Sequence, residues 1–79
     1  MTSQEVALHE VNEELSKARS KFPPFANPHE GWAIIKEELD ELWEHIRTHH
    51  SRQDRAAMRK DACQVAAMAV SAWTISPDT

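Results

Sequence analysis

The chain has 79 residues, 9 Lys plus Arg against 13 Asp plus Glu, a formal net charge of −4 and a single cysteine, Cys63. The acidic balance argues against general nucleic-acid binding, whose affinity comes from Lys and Arg neutralising phosphates, and one cysteine leaves no intrachain disulfide, which suits a cytoplasmic setting. One core of this size seldom supplies more than about 3–5 kcal/mol, so assembly into a homodimer or homotetramer is expected. No stretch approaches the roughly 18 apolar residues of a membrane span, and Met1-Thr-Ser-Gln-Glu-Val lacks the basic flank and apolar run of a secretory signal. A soluble, unprocessed protein is therefore expected.

The punctuation predicts three helices and no strand. The first spans about residues 3–20, where Leu8, Val11, Leu15, Ala18 and then Phe22 keep the three-and-four spacing of one buried stripe. Phe22-Pro-Pro-Phe-Ala ends it, because paired prolines cannot continue a helix.

The second helix, about residues 27–49, opens with Asn27 as N-cap, Pro28 in the first helical position and Glu30 three residues after the cap. Trp32, Ile35, Leu39, Leu42 and Ile46 make its stripe, widened by Trp43. His49 and His50 fall in the last turn, where positive charge complements the helix dipole.

Ser51-Arg-Gln-Asp54 has the spacing of a capping box and predicts a third helix over about residues 52–75, closed by Ser76-Pro77. Met58, Ala62, Val65, Ala69 and Ala72 form its expected stripe. Seven alanines between Ala56 and Ala72 let another helix approach closely. The whole chain, 1–79, thus reads as one all-α domain: a helical hairpin with an N-terminal helix, completing a four-helix-type bundle by oligomerisation.

Chemistry enters with the acids. At 100° per residue, Glu30, Ile34, Glu37, Glu38, Glu41 and His45 share one arc of the second helix, and Glu38 lies at the edge nearest the apolar stripe. Asp61 falls inside the apolar sector of the third helix, with Gln64 on its flank. An unpaired charge is strongly disfavoured there, so Asp61 needs a partner. A Glu-rich face is ordinarily solvated and held by pairs such as Glu41 with His45. Two helices bringing acids to the border of a shared core instead suit a metal-binding bundle, and hard oxygen donors suit Mg²⁺ or Mn²⁺.

Two further patterns are weaker. His45 and His49 have the spacing of two zinc ligands on one helix face, but structural zinc prefers four N or S ligands, and Cys63 is expected on the polar sector of the third helix. With Gly31 the sole glycine, there is no Gly-rich phosphate loop, and no nucleophile elbow is present.

Over about residues 22–73, the chain resembles the MazG-like all-α nucleoside triphosphate pyrophosphohydrolases, especially the short MazG-like proteins of phages and bacteria. The resemblance is carried by Phe25-Ala-Asn-Pro-His-Glu-Gly-Trp-Ala-Ile-Ile-Lys-Glu-Glu-Leu-Asp-Glu-Leu-Trp and by Met58-Arg-Lys-Asp-Ala-Cys-Gln-Val-Ala-Ala-Met-Ala. The family motif is Glu-Glu-x-x-Glu, a spacer, then Glu-x-x-Asp. Glu37, Glu38 and Glu41 fill its first half, and 19 residues separate Glu41 from Asp61. Asp61 stands where the family has Glu, and Gln64 stands where it has Asp, so the site loses one formal charge and is expected to bind its metal more weakly.

The resemblance implies Mg²⁺-dependent (or Mn²⁺-dependent) hydrolysis of a nucleoside triphosphate to the monophosphate and pyrophosphate. It implies Glu38, Glu41 and Asp61 as metal ligands, with Gln64 as a weak fourth. Glu37 and Glu38 are the catalytic candidates, Glu37 as base or outer support of the ligands. Lys60 is the favoured phosphate contact, ahead of Arg55, Arg59 and Lys36. Trp32 and Phe25 could stack on a base, although Trp32 is expected mainly to pack in the core. The departure at Gln64 also allows a catalytically lapsed relative that serves as a nucleotide-binding or protein-interaction module.

Overall fold

A computed structural model describes residues 1–48 and 55–75. The described residues form three helices and no strand: α1 (Ser3–Lys21), α2 (Pro28–Thr48) and α3 (Arg55–Trp73). The expected capping box at Ser51–Asp54, the end-of-helix residues His49 and His50, and the closing Ser76-Pro77 lie outside the described residues.

Local chemistry accounts for the helix ends. Thr2 caps α1 through a reciprocal pair: its Oγ1 accepts from the Glu5 N–H at 3.1 Å while Glu5 Oε1 accepts from the Thr2 N–H at 2.9 Å. At the far end, Phe22 is extended and its N–H still donates to the Ala18 carbonyl at 2.9 Å. Asn27 caps α2 as the sequence predicts, its Oδ1 accepting from the Glu30 N–H at 2.9 Å.

Helix α3 packs against both α2 and α1, whereas α1 and α2 do not pack on each other among the described residues. The predicted hairpin is therefore α2–α3, and α1 lies along a second face of α3. That arrangement corrects the stripe expected on α3. Ala62 and Ala69 are exposed, while Ala67 is fully buried and Asp61 is 7% exposed. A single stripe presumes one neighbour; with two, the buried surface of α3 widens toward α1 and leaves the Ala62/Ala69 side in solvent.

Close approach at the start of the hairpin depends on Gly31, the buried residue of α2. A Cβ built there would lie 3.1 Å from Cδ2 of Phe25 and 3.3 Å from Cβ of Ala72. The missing side chain thus makes room for the α3 backbone and for the Phe25 ring that folds over the junction.

Much of the expected apolar face of α2 remains open. Trp32 is 61%, Leu39 45% and Trp43 57% exposed, so the assignment of Trp32 to core packing is corrected. The apolar sector of α2 is about half the helix circumference wide, and α3 covers only the part marked by Gly31, Ile35, Leu42 and Ile46. On α1, Leu15 is buried, but Leu8 and Phe22 at the ends of its stripe are exposed. No helix among the described residues is long and apolar enough to cross a membrane.

Candidate functional site

Among the described residues Asp61 is the buried charge, and its partner comes from α2. His45 Nδ1 contacts Asp61 Oδ2 closely across the α2–α3 seam, joining residues 16 positions apart. His45 therefore reaches α3, and the need for compensation read from the sequence is met by an imidazole.

Glu38 is half-buried on the same seam. Burial pushes its carboxyl above the ordinary carboxylate value, and the neighbouring charges of Glu41, Glu37, Asp61 and Glu14 push in the same direction. The charges of Glu14 on α1 and Asp61 on α3 thus both act on Glu38 of α2. The first of these is absent from the sequence reading. Its signal in the sequence is faint, a Glu beside Leu15 on the flank of the α1 stripe, and nothing local says which helix that flank will face.

Gln64 faces Glu14. Its Nε2 donates to Glu14 Oε1 at 2.6 Å, a contact between residues 50 positions apart. Gln64 is thereby turned toward α1 and presents its amide to a carboxylate. Cys63 is also found on that side. It is half-buried, and desolvation raises its thiol above the usual value, helped by Glu14 and Glu10 and opposed by Lys17. The expectation that Cys63 projects from a polar face is thus corrected, again because α3 has a second neighbour.

The remaining candidates are solvent-facing. Glu37 and Glu41 are exposed and, with Asp40, Glu44 and His45, line a shallow depression along α2. Lys60 is exposed on α3, adjacent in sequence to Asp61. Trp32 precedes Glu41 by nine residues, half a revolution at 100° per residue, so it lies across α2 from the acidic arc. Among the described residues, no three His, Cys, Asp or Glu side chains gather closely enough to hold a metal ion. Glu38, Glu41 and Asp61 sense one another electrostatically, while Asp61 is engaged by His45 and Gln64 by Glu14. Comparison with known protein families, curated proteins and solved structures finds no match.

Proposed function

We propose that the chain is a Mg²⁺-dependent nucleoside triphosphate pyrophosphohydrolase of the MazG-like kind, releasing pyrophosphate and a (deoxy)nucleoside monophosphate. One observation carries the reading: Glu38 is held above its ordinary ionisation by burial and by the like charges of Glu41, Glu37, Glu14 and the buried Asp61, which come from all three helices. Such mutual repulsion favours a divalent cation nearby.

The donors fit Mg²⁺ or Mn²⁺ in kind, being carboxylate and amide oxygens. Glu38, Glu41 and Asp61 would hold the ion, with Gln64 as a neutral fourth donor. A bound Mg²⁺ supplies charge neutralisation at the phosphate oxygens and lowers the pKa of water. The chain's own groups do the rest. Glu37, exposed one residue before Glu38, accepts the proton of the attacking water. Lys60 pairs with a phosphate oxygen from the α3 side. His45 keeps the Asp61 carboxylate oriented.

The assay is direct: incubate the protein with the common NTPs and dNTPs plus Mg²⁺ and measure pyrophosphate. Release that is lost in Glu38→Ala/Glu41→Ala supports the reading. No release across the panel from a folded protein overturns it.

A second reading, a lapsed relative that binds a nucleotide or a protein without hydrolysing anything, is favoured by the engagement of Asp61 with His45 and of Gln64 with Glu14. Its nucleotide-binding form predicts a triphosphate-dependent rise in Tm without pyrophosphate release, since a ligand that binds the native state stabilises it.

A further inference from the structure

We propose that Glu14 of α1 is a positioning residue for the metal site: it holds the Gln64 amide by its nitrogen and leaves the carbonyl oxygen as the end offered to a cation. This role rests on the metal-dependent reading of the site given above. Its basis is the bond from Gln64 Nε2 to Glu14 Oε1, 2.6 Å long, which joins two half-buried residues 50 positions apart.

The chemistry of the two groups fixes which way the amide turns. A carboxylate only accepts hydrogen bonds, so the end of Gln64 that meets Glu14 is the donor, and Oε1 is the end left over. A neutral amide at position 14 would take either end. Among the described residues Oε1 accepts no hydrogen bond, and no buried side-chain nitrogen or oxygen there lacks a partner, so Oε1 is open to solvent. Gln64 follows Asp61 by three residues and therefore shares its face of α3. Helix α3 packs against both neighbours, and each orients one of these two side chains: His45 of α2 meets Asp61, and Glu14 of α1 meets Gln64.

Charge follows the same pairing. Gln64 stands where the resembled family carries an acid, and Glu14 brings a carboxylate to that neutral side chain. An N–H donated to a carboxylate shifts electron density toward the carbonyl oxygen of the same amide, which makes Oε1 a stronger ligand for a hard cation. The charge of Glu14 also reaches Glu38. An acid absent from α3 and present on α1 keeps the formal charge around the ion, and spares two carboxylates from facing each other between the helices.

Calorimetric titration of Mn²⁺ into the full chain tests the role, with metal-free melting as the check on folding. Glu14→Gln keeps the size of the side chain but frees the amide to turn. It is expected to weaken Mn²⁺ binding about tenfold or more, as loss of the group behind a ligand does. In a Gln64→Ala background the same change is expected to cost nothing further, because Glu14 acts through Gln64. Glu14→Gln/Gln64→Glu rebuilds the bond with its charge on α3 and is expected to restore binding. Should the exchanged pair melt below the titration temperature, the two backgrounds decide; should Gln64→Ala bind too weakly to titrate, the exchange decides. Equal affinity in wild type and Glu14→Gln overturns the role and leaves the metal reading standing. An equal loss in both backgrounds, or a folded exchange that binds no tighter than Glu14→Gln, also overturns it. A folded wild type that takes up no Mn²⁺ overturns the metal reading and this role together.

Discussion

Gln64 on α3 donates to Glu14 on α1 across 2.6 Å, and this bond joins the two helices. It gives the Glu14 carboxylate a neutral amide donor, where a second acid would add repulsion. Gln64→Glu, of nearly the same shape, sets two carboxylates face to face. The expected result at neutral pH is a loss of about 1–3 kcal/mol, the range for a half-buried hydrogen bond replaced by an uncompensated group. Urea midpoints measure it. Mg²⁺ should restore more stability to this variant than to the wild type, and equal midpoints without metal would remove the bond from the account.

Asp61 and His45 form the buried contact of the α2–α3 seam, with side chains 10% and 39% exposed. His45→Ala strands the Asp61 carboxylate and is expected to cost about 1–3 kcal/mol, less than a fully buried pair because water reaches the imidazole. Asp61→Asn in the His45→Ala background should recover part of that loss. A double-mutant cycle reads the coupling directly, and strict additivity would show that the contact contributes nothing.

Glu38 titrates in the unusual direction. Its folded-state value lies above the unfolded value of 4.5, so the folded protein holds this proton more tightly than the unfolded chain does. Its burden on stability is absent below pH 4.5, grows as the pH rises through the folded value, and is complete above it. Glu38→Gln is thus expected to raise Tm at pH 7 in the absence of metal and to leave Tm unchanged near pH 4. The same substitution should reduce any stabilisation by Mg²⁺. An increase of equal size at both pH values would mean that charge is not the cause.

Gly31→Ala sets two effects against each other. Alanine favours helix over glycine by about 1 kcal/mol, but its methyl group would sit 3.1 Å from the Phe25 ring and 3.3 Å from the Ala72 methyl. Ala72 is fixed to the α3 backbone and yields only if the helices separate, and overpacking of this type costs about 1–3 kcal/mol. The net expectation is a lower Tm, with Gly31→Val lower still. If Gly31→Ala melts higher than wild type, the seam has slack.

Cys63 should alkylate slowly. Burial between α3 and α1, reinforced by Glu14 and Glu10, keeps its thiol protonated above the usual pH range. The rate with iodoacetamide is expected to lag that of the urea-unfolded chain at the same pH, and to rise in Glu14→Gln. Equal rates in folded and unfolded protein would place the thiol in open solvent.

The end of α1 and the start of α2 were legible in the chain itself, because the bonds that set them span four residues or fewer. Asn27 and Pro28 start α2, and Pro23 and Pro24 keep the chain from continuing past α1. Burial of Asp61 was legible too, from its place in the apolar period. Periodicity assigns a residue only to a broad arc, however, and helix rotation and crossing decide what that arc meets. Tertiary packing alone therefore brought His45 to Asp61 and Glu14 to Gln64, drew Cys63 inward, and gave α3 two neighbours while leaving Trp32, Leu39 and Trp43 in solvent.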